Sequence, residues 1–238
     1  MPSLAKAVSD AVRVGRARGE RAAVAVYDRR AKRYYTAGDA DNYYASASVM
    51  KVFIAARLLV DGQADDPEFR ALMRRMIVVS DDRVTRELYP VAGGAAVASW
   101  VGERYHLDGI APTPNANLWG LTRVTARALA KFYDVVAADP KVGPWLLDAL
   151  GHTEATAADG FHQLYGIPAV SGDRRVKQGW MCCLDDRTRT HSTGYVNADR
   201  YTVALMTEGS TAIYGDYARA TLTLMAKALL PGGPIPTG

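Results

Sequence analysis

Apolar residues recur along the chain at spacings that predict helices in the middle and strands towards both ends. The segment from Ser3 to about Arg18 keeps its apolar residues on one face and predicts a helix. Two strand-like runs follow, Ala22–Tyr27 and Arg33–Thr36, joined by a charged turn. The helical middle comprises these segments: Ser48–Val60, Phe69–Ile77, a helix marked by Val97, Trp100 and Val101, and one capped by Thr122 that packs through Leu129, Phe132 and Val136.

The chain returns to strands near its end and closes with a helix; these segments are Arg174–Cys183, Thr188–Val196, Tyr201–Thr207 and Tyr214–Leu229. Two short N-terminal strands cannot form a stable sheet alone, so we expect them to pair with the three later strands. The prediction is an α+β fold: an antiparallel five-stranded sheet flanked by the N- and C-terminal helices, with an inserted all-helical lobe. Residues 1–45 and 171–238 would form the sheet lobe and residues 46–170 the helical lobe. The cleft between the two is the natural place for a site.

The composition is that of a soluble globular protein: of 238 residues, 49% are apolar and 23% are charged. The longest apolar stretches, such as Val52–Ala56 and Val203–Met206, are too short to span a bilayer, so no membrane partner is expected. No basic start followed by an apolar segment and a cleavage site opens the sequence. A cytoplasmic location is therefore predicted for the sequence as it stands, and export if it belongs to a longer precursor.

The net charge of +4 comes from 29 basic and 25 acidic residues without a long basic run. Basic clusters within residues 13–18 and 29–33 are typical of a solvated surface, so no nucleic-acid partner is expected. Cys182 and Cys183 are adjacent, closer than the Cα separation of an ordinary disulfide, which argues against a bond between them. A zinc site would need further thiols or paired histidines, so the sequence predicts neither a metal nor a cofactor.

Ser48 and Lys51 form the first pattern with chemical meaning. They place a hydroxyl at a predicted helix N-terminus and an ammonium one turn later on the same face. A desolvated lysine can take the proton of a nucleophilic serine while the helix N-terminal amides stabilise an oxyanion. The pattern alone is equally that of a capping serine beside a solvated lysine, as at Ser3 and Lys6.

Two further motifs follow in order. Ser80-Asp81-Asp82 ends a helix of the helical lobe, and Lys177-Gln178-Gly179 lies on the first C-terminal strand. With Ser48 to Lys51 they match the triple signature S-x-x-K, S-D-N and K-T-G, with one substitution in each of the last two motifs. The sequence thus resembles the penicillin-interacting serine enzymes, that is, class A β-lactamases and DD-peptidases. The resemblance covers nearly the whole chain, since the order of helices and strands is also that family's.

The resemblance implies a catalytic role for each motif residue. Ser48 would be the nucleophile, and Lys51 its base or proton relay. Ser80 would pass a proton to the leaving nitrogen, and Lys177 would hold a substrate carboxylate. The backbone N–H groups of Ser48 and Trp180 would form the oxyanion hole. The hydroxyl of Ser48 is then expected within hydrogen-bond reach of Lys51 and Ser80, with Lys177 across the cleft.

The sequence departs from the family pattern in a region that, in class A enzymes, serves hydrolysis of the acyl-enzyme. Class A enzymes hydrolyse the acyl-enzyme with a glutamate on a loop, but the corresponding stretch, Asp108–Leu121, contains no Glu. Its candidates for holding a water are Asp108, Asn115 and Asn117, and of these only Asp108 could act as a base. The stretch between Ser48 and Ser80 is also shorter than in class A enzymes. We therefore expect poor turnover of β-lactams.

The motif substitutions concern the substrate. Asp82 replaces an asparagine, offers only acceptors, and favours a charged Lys51, which conflicts with a neutral lysine base. Gln178 replaces a hydroxyl residue, and its amide can still donate a hydrogen bond to a substrate carboxylate. Gly179 is expected because a side chain there would crowd a ligand lying along the strand.

Other polar residues leave alternatives open. His191, Arg187 and Arg189 either line the cleft or have structural roles, and the segment Gly151–Val170 could cover the site. A nucleophilic pair of Cys183 with His191 is conceivable, although two cysteines in an apolar strand are more typical of a core.

Two functions fit these observations. The first is a serine acyl-enzyme hydrolase or acyltransferase acting on a small-molecule or peptide-like amide, lactam or ester. The second is a binding protein that keeps the fold to hold a β-lactam or peptidoglycan fragment without turning it over. The missing loop glutamate favours the binding protein, and the retained Ser48, Lys51, Ser80 and Lys177 favour the enzyme.

Overall fold

An antiparallel five-stranded sheet forms the centre of the protein, with strand order β2-β1-β8-β7-β6. The computed structural model describes residues 2–173, 175–233 and 235. The strands of this sheet are β1 Arg21–Asp28, β2 Arg33–Gly38, β6 Val176–Cys182, β7 Arg187–Val196 and β8 Tyr201–Ser210. The two N-terminal strands thus pair with the three C-terminal ones, and the predicted α+β fold is confirmed. Arg174, the predicted start of one strand, lies outside the described residues.

The remaining elements form the layers on either side of this sheet. The helices are α1 Leu4–Ala17, α2 Lys51–Val60, α3 Pro67–Val78, α4 Asp82–Val91, α5 Ala96–Tyr105, α6 Ala126–Ala138, α7 Gly143–Gly151, α8 Ile167–Ser171 and α9 Asp216–Leu229. Three short strands, β3 Tyr44–Ala45, β4 Ile110–Ala111 and β5 Arg123–Val124, pair in a second, smaller sheet. Among the described residues, none of the helices combines the length and apolar composition that crossing a bilayer requires.

Both faces of the large sheet are buried, as the alternation in β1 requires. Ala22, Val24 and Val26 pack with α1 and α9 on one face. Ala23 and Ala25 point to the opposite face, where they join the apolar side chains of the inserted helices. Because successive residues of a strand point to opposite faces, an uninterrupted apolar run suits this central position. The sheet is therefore enclosed between the two terminal helices and the helical insertion.

Local sequence signals explain several of the observed boundaries. Ser3 caps α1, since its side chain accepts a hydrogen bond from the Lys6 N–H, as its interpretation as a capping serine predicts. Thr125, not Thr122, caps α6: its backbone is extended and its hydroxyl accepts from the Ala128 N–H. The prediction of Thr122 as the cap is wrong because a short turn and β5 separate that residue from the helix.

The insertion differs from the all-helical lobe predicted for residues 46–170. It carries β4 and β5, which pair with each other and, through β5, with β3. Strands of two residues leave no alternating pattern in a sequence, which is why the apolar spacing did not reveal them.

Within the described part of the chain, no three His, Cys, Asp or Glu side chains lie close enough together to hold a metal ion.

Glu20 is a buried carboxyl group next to β1. The residue is 3% exposed, and neither carboxyl oxygen has a hydrogen-bond partner among the described residues. Burial raises the pKa of Glu20 above its usual value. Because the pKa of Glu20 is higher in the folded state, the protonated carboxyl group favours the folded state. Its contribution to the free energy of unfolding is complete below the unfolded-state pKa and is lost as the pH rises through the folded-state pKa.

We therefore expect Glu20→Gln to raise the melting temperature at pH 8, because it removes a buried carboxylate without a partner. A gain on the order of 1 kcal/mol corresponds to roughly 2–4 °C for a chain of this size. The gain should shrink towards pH 4, where the wild-type carboxyl is protonated. Thermal unfolding against pH measures it, with exposed Glu87→Gln as the control. An equal gain at every pH would contradict a titrating Glu20.

Candidate active site

The turn that carries Ser48 is held tightly between the two sheets. The chain leaves β3, makes a 3-10 turn over Ala47–Met50 and enters α2. Ala47 has a φ of +47°, a left-handed conformation that costs a non-glycine residue about 1–3 kcal/mol. The Ser46 N–H donates to the Thr122 carbonyl at 2.7 Å, and the His191 Nε2 contacts the Ala45 carbonyl at 2.8 Å. These contacts fix the backbone around Ser48.

The ammonium of Lys51 meets three oxygen atoms. Its Nζ lies 2.6 Å from the Ser80 carbonyl oxygen, 2.8 Å from the Ser80 Oγ and 2.6 Å from Asp82 Oδ1. The Nζ also lies 5.1 Å from the ring centroid of Trp119, within the range of a cation–π interaction. Burial lowers the pKa of Lys51, and the Asp82 carboxylate opposes this shift.

Ser80 and the start of α4 position the second motif. Ser80 has a φ of +54°, so the chain turns sharply between α3 and α4. Asp81 caps α4, accepting hydrogen bonds from the Arg83 and Val84 N–H groups, and its other oxygen contacts the Arg75 guanidinium at 2.6 Å. Asp82 is then the first helical residue, and its half-exposed side chain reaches from the cleft to Lys51. Asp81 therefore caps α4 and binds Arg75, whereas Asp82 pairs with Lys51.

Lys177 approaches the same serine from the sheet. Its Nζ lies 2.9 Å from the Ser80 Oγ and 3.1 Å from the Gln178 carbonyl oxygen. The side chain is 1% exposed, and burial together with the Lys51 charge holds the pKa of Lys177 well below its usual value. The Ser80 hydroxyl is thus shared by one lysine from the helical insertion and one from the edge strand β6.

Gln178 does not face this cleft. Its fully buried amide donates to the Gln163 carbonyl at 3.0 Å and to the Tyr165 carbonyl at 2.6 Å. Both contacts hold the segment between α7 and α8 against β6. The expected hydrogen bond from this amide to a substrate carboxylate is therefore not supported, because its donors are already used by the backbone.

Gly179 packs closely against neighbouring backbone and side-chain atoms. A Cβ atom there would lie 3.0 Å from the Ser46 carbonyl oxygen and 3.1 Å from Val49 Cγ2. A side chain at position 179 would therefore crowd the turn that carries Ser48. Trp180, next in the strand, stacks on Phe161 with ring centroids 4.8 Å apart. Its indole Nε1 donates to Asp159 at 2.9 Å, so the segment Gly151–Val170 does lie against the site.

A cavity of about 250 Å³ brings Ser48, Asp82 and Trp180 together. Its other lining residues include Arg86, Asn117, Leu118, Trp119, Met181 and Leu184. Asn117 is the one of the three expected water-holding residues that lines this cavity. Arg86 was not predicted from the sequence, although its position one helical turn after Asp82 was a usable signal.

The residues that the sequence left open have structural contacts. The guanidinium of Arg189 is nearly buried and forms ion pairs with Asp185 and, at 3.0 Å, with Glu208. His191 is buried beneath the Ser48 turn, and burial lowers its pKa to about 4. Cys182 is half-buried at the end of β6 and Cys183 is exposed, so the pair does not belong to the core, and their Cα atoms lie 3.2 Å apart, below the range of ordinary disulfides.

The Ser48 side chain makes no hydrogen bond to Lys51 or Ser80 among the described residues. The expectation that it lies within hydrogen-bond reach of both is therefore not met. Both potential partners are engaged with each other and with Asp82 or Lys177. Catalytic hydrogen bonds of this kind often shorten only in the complex with substrate.

Comparison with known proteins gives a family and a fold. No family model matches the chain. The protein named "Putative lipoprotein LppW" from Mycobacterium tuberculosis (strain ATCC 25618 / H37Rv) is 31% identical over 230 residues, covering 92% of this chain and 72% of LppW. The chain belongs to the LppW family. A protein of the same name from Mycobacterium bovis gives the same identity and coverage.

Solved structures similar to this LppW-family chain are β-lactamases. A β-lactamase from Chitinophaga pinensis DSM 2588 has a TM-score of 0.73 at 13% identity, covering 92% of this chain and 96% of its own. A class A β-lactamase from Mycobacterium abscessus has a TM-score of 0.73 at 13% identity, covering 94% and 98%. At these identities the likeness shows the fold, and the predicted β-lactamase-like fold is confirmed.

We expect Gly179→Ala to destabilise the protein by about 1–3 kcal/mol, because the new Cβ presses on the Ser46 carbonyl and on Val49. The corresponding fall in melting temperature is roughly 2–4 °C per kcal/mol. Thermal unfolding measures it, with Gly232→Ala as the control, since a Cβ there has open space. Equal melting temperatures for the two variants would contradict the packing role of Gly179.

Proposed function

We propose that the protein is a serine hydrolase or acyltransferase that forms an acyl-enzyme on Ser48 from an amide, lactam or ester. The observation that carries the proposal is the Ser80 hydroxyl held between two buried lysine nitrogens, at 2.8 and 2.9 Å, beside the cavity that Ser48 lines. Burying two amines next to each other is costly, and a fold has no structural need of it. Groups with perturbed pKa values beside a cleft are instead typical of active sites.

The proposed steps follow from this arrangement. Ser48 attacks the acyl carbon, and the lysine–serine network accepts its proton. The backbone N–H groups of Ser48 and Trp180 stabilise the oxyanion, since both residues line the same cavity. The network then returns the proton to the leaving group through Ser80. The substrate is a small-molecule or peptide-like acyl compound that fits between Trp119, Met181 and Leu184.

We infer poor turnover of β-lactams from two features. Two groups that could bind a β-lactam carboxylate are occupied, since the Gln178 amide bonds to backbone carbonyls and Arg189 is paired with acidic residues. Asn117 can hold a water in the cavity, but an amide cannot deprotonate it at neutral pH. The Asp82 carboxylate in the cavity is bound to Lys51.

A binding protein without turnover is the second candidate. It is favoured by the same Asp82–Lys51 contact, because a lysine held in an ion pair is a poor base for Ser48. The name of the mycobacterial relatives as lipoproteins supports action outside the cytoplasm for either function. We therefore propose export of a longer form, the second of the two locations predicted from the sequence.

Exposure to an alkyl fluorophosphonate should add the mass of one probe less HF to the wild-type protein and nothing to Ser48→Ala, as intact-mass spectrometry will show. A penicillin should give an adduct that persists, because no free carboxylate in the described cavity activates the deacylating water. Hydrolysis of a chromogenic cephalosporin at tens of turnovers per second, which many enzymes reach, would contradict the expected slow deacylation. Absence of any adduct would contradict Ser48 as the nucleophile.

The Asp82→Asn variant should acylate with a penicillin at the wild-type rate or faster, because it restores the asparagine of the family's motif. It should impair the native reaction more than it perturbs folding. Mass spectrometry over time gives the rate, and the melting temperature gives the control for folding. Much slower acylation at equal stability would mean that the Asp82 carboxylate belongs to the acylation machinery.

A further inference from the structure

The hydrogen bonds around Ser80 distinguish the protonation states of its two lysine neighbours. A charged lysine carries three N–H donors and has no lone pair. The three close oxygen partners of Lys51 Nζ are the Ser80 carbonyl, the Ser80 hydroxyl and the Asp82 carboxylate. The carbonyl and the carboxylate can only accept, and the carboxylate also stabilises a positive charge. Each of these three oxygen atoms can therefore accept one of the three N–H groups of a charged Lys51.

This assignment orients the Ser80 hydroxyl. If Lys51 donates to the Ser80 Oγ, the serine still has its own proton to donate. The remaining partner of that oxygen is Lys177 Nζ, at 2.9 Å. An amine can accept a hydrogen bond only through a lone pair, which a lysine has when it is neutral. A neutral Lys177 would accept from Ser80 and donate one of its own N–H groups to the Gln178 carbonyl at 3.1 Å.

The charges around Lys177 agree with a neutral amine. Within the described residues no carboxylate lies within 4 Å of its Nζ, whereas Lys51 has Asp82 at 2.6 Å. The groups that face Lys177 from neighbouring elements are Lys51 on α2, Asp82 on α4 and Asp159 in the segment between α7 and α8. The Trp180 ring lies 5.6 Å from the Nζ. Burial and the Lys51 charge lower the pKa of Lys177 more than the two aspartates raise it.

We propose that Lys177, and not Lys51, accepts the Ser48 proton, acting through Ser80. The inference rests on the proposed acyl-enzyme function. As the bond from Ser48 Oγ to the acyl carbon forms, the Ser48 proton moves to Ser80 Oγ, and the Ser80 proton moves to Lys177 Nζ. When the bond to the leaving nitrogen breaks, the same proton returns through Ser80 to that nitrogen. Lys51 stays charged throughout and orients the Ser80 oxygen.

The role differs from the carboxylate anchor that the family resemblance implies for Lys177. An anchor acts through its positive charge on an anionic substrate group. A proton acceptor acts through its lone pair on any substrate, including one without a carboxylate. An alkyl fluorophosphonate separates the two roles because it carries no carboxylate. Its reaction forms the Ser48 Oγ–phosphorus bond, releases fluoride and leaves the serine proton on the network.

The experiment measures the rate of fluorophosphonate labelling of the full chain against pH, by intact mass, for wild type, Lys177→Met and Lys51→Met. Methionine fills the buried volume of either lysine without charge, and melting temperatures control for folding. We expect Lys177→Met to label roughly 100-fold more slowly, the usual contribution of a positioned base, and to lose the rise of rate with pH. Lys51→Met should keep that rise but move it to higher pH, because the positive neighbour of Lys177 is gone.

The outcomes separate this inference from the function on which it rests. Wild-type labelling at Ser48 with an unchanged rate and pH profile in Lys177→Met would overturn the role of Lys177 alone. Loss of the pH-dependent rise in Lys51→Met, with its retention in Lys177→Met, would assign the proton to Lys51 and also overturn it. No labelling of the wild type would overturn both the inference and the acyl-enzyme function.

Discussion

The Ser80 hydroxyl is the contact on which the arrangement of the cleft depends, because lysines from two layers of the fold meet on it. Lys51 comes from the first turn of α2 and Lys177 from the edge strand β6. Neither amine is exposed, so each must find oxygen partners within the protein. This requirement accounts for the left-handed backbone of Ser80, which presents both its carbonyl and its hydroxyl to Lys51.

Asp82 sets the charge of this network and separates the protein from the family pattern that its motifs resemble. An asparagine would leave Lys51 without a neighbouring negative charge, whereas the carboxylate lies 2.6 Å from its Nζ. The other polar side chains near β6 also make contacts within the protein. The Gln178 amide donates to backbone carbonyls, and the Arg189 guanidinium pairs with acidic side chains. The fold is thus retained while the groups around the cleft are redistributed. The proposed chemistry, which keeps Ser48 as the nucleophile but differs from that family in substrate and proton path, fits this pattern.

The fold was predictable because long periodic segments and three ordered motifs agreed with each other. The two-residue strands β3, β4 and β5 left no pattern, and α4 was missed although Val84 and Leu88 lie on one buried face of it. In the site, the motif residues Ser48, Ser80 and Lys177 could be named, but the orientation of Gln178 could not. Which face of β6 a residue occupies depends on the segment packed against it, and carbonyls of that segment took the amide. The contacts of Arg189 likewise come from Asp185 and Glu208, whose proximity only the folded hairpins create.

Ser48 is the proposed nucleophile, served by a serine shared between two lysines. A crystal structure of the protein with an alkylboronic acid tests it most directly, because boron forms a reversible tetrahedral adduct with an activated serine. We predict a bond from boron to Ser48 Oγ, one boronate oxygen between the N–H groups of Ser48 and Trp180, and Ser80 still between Lys51 and Lys177. An empty cavity at saturating boronic acid, or an adduct with its oxygen turned away from both N–H groups, would contradict the account.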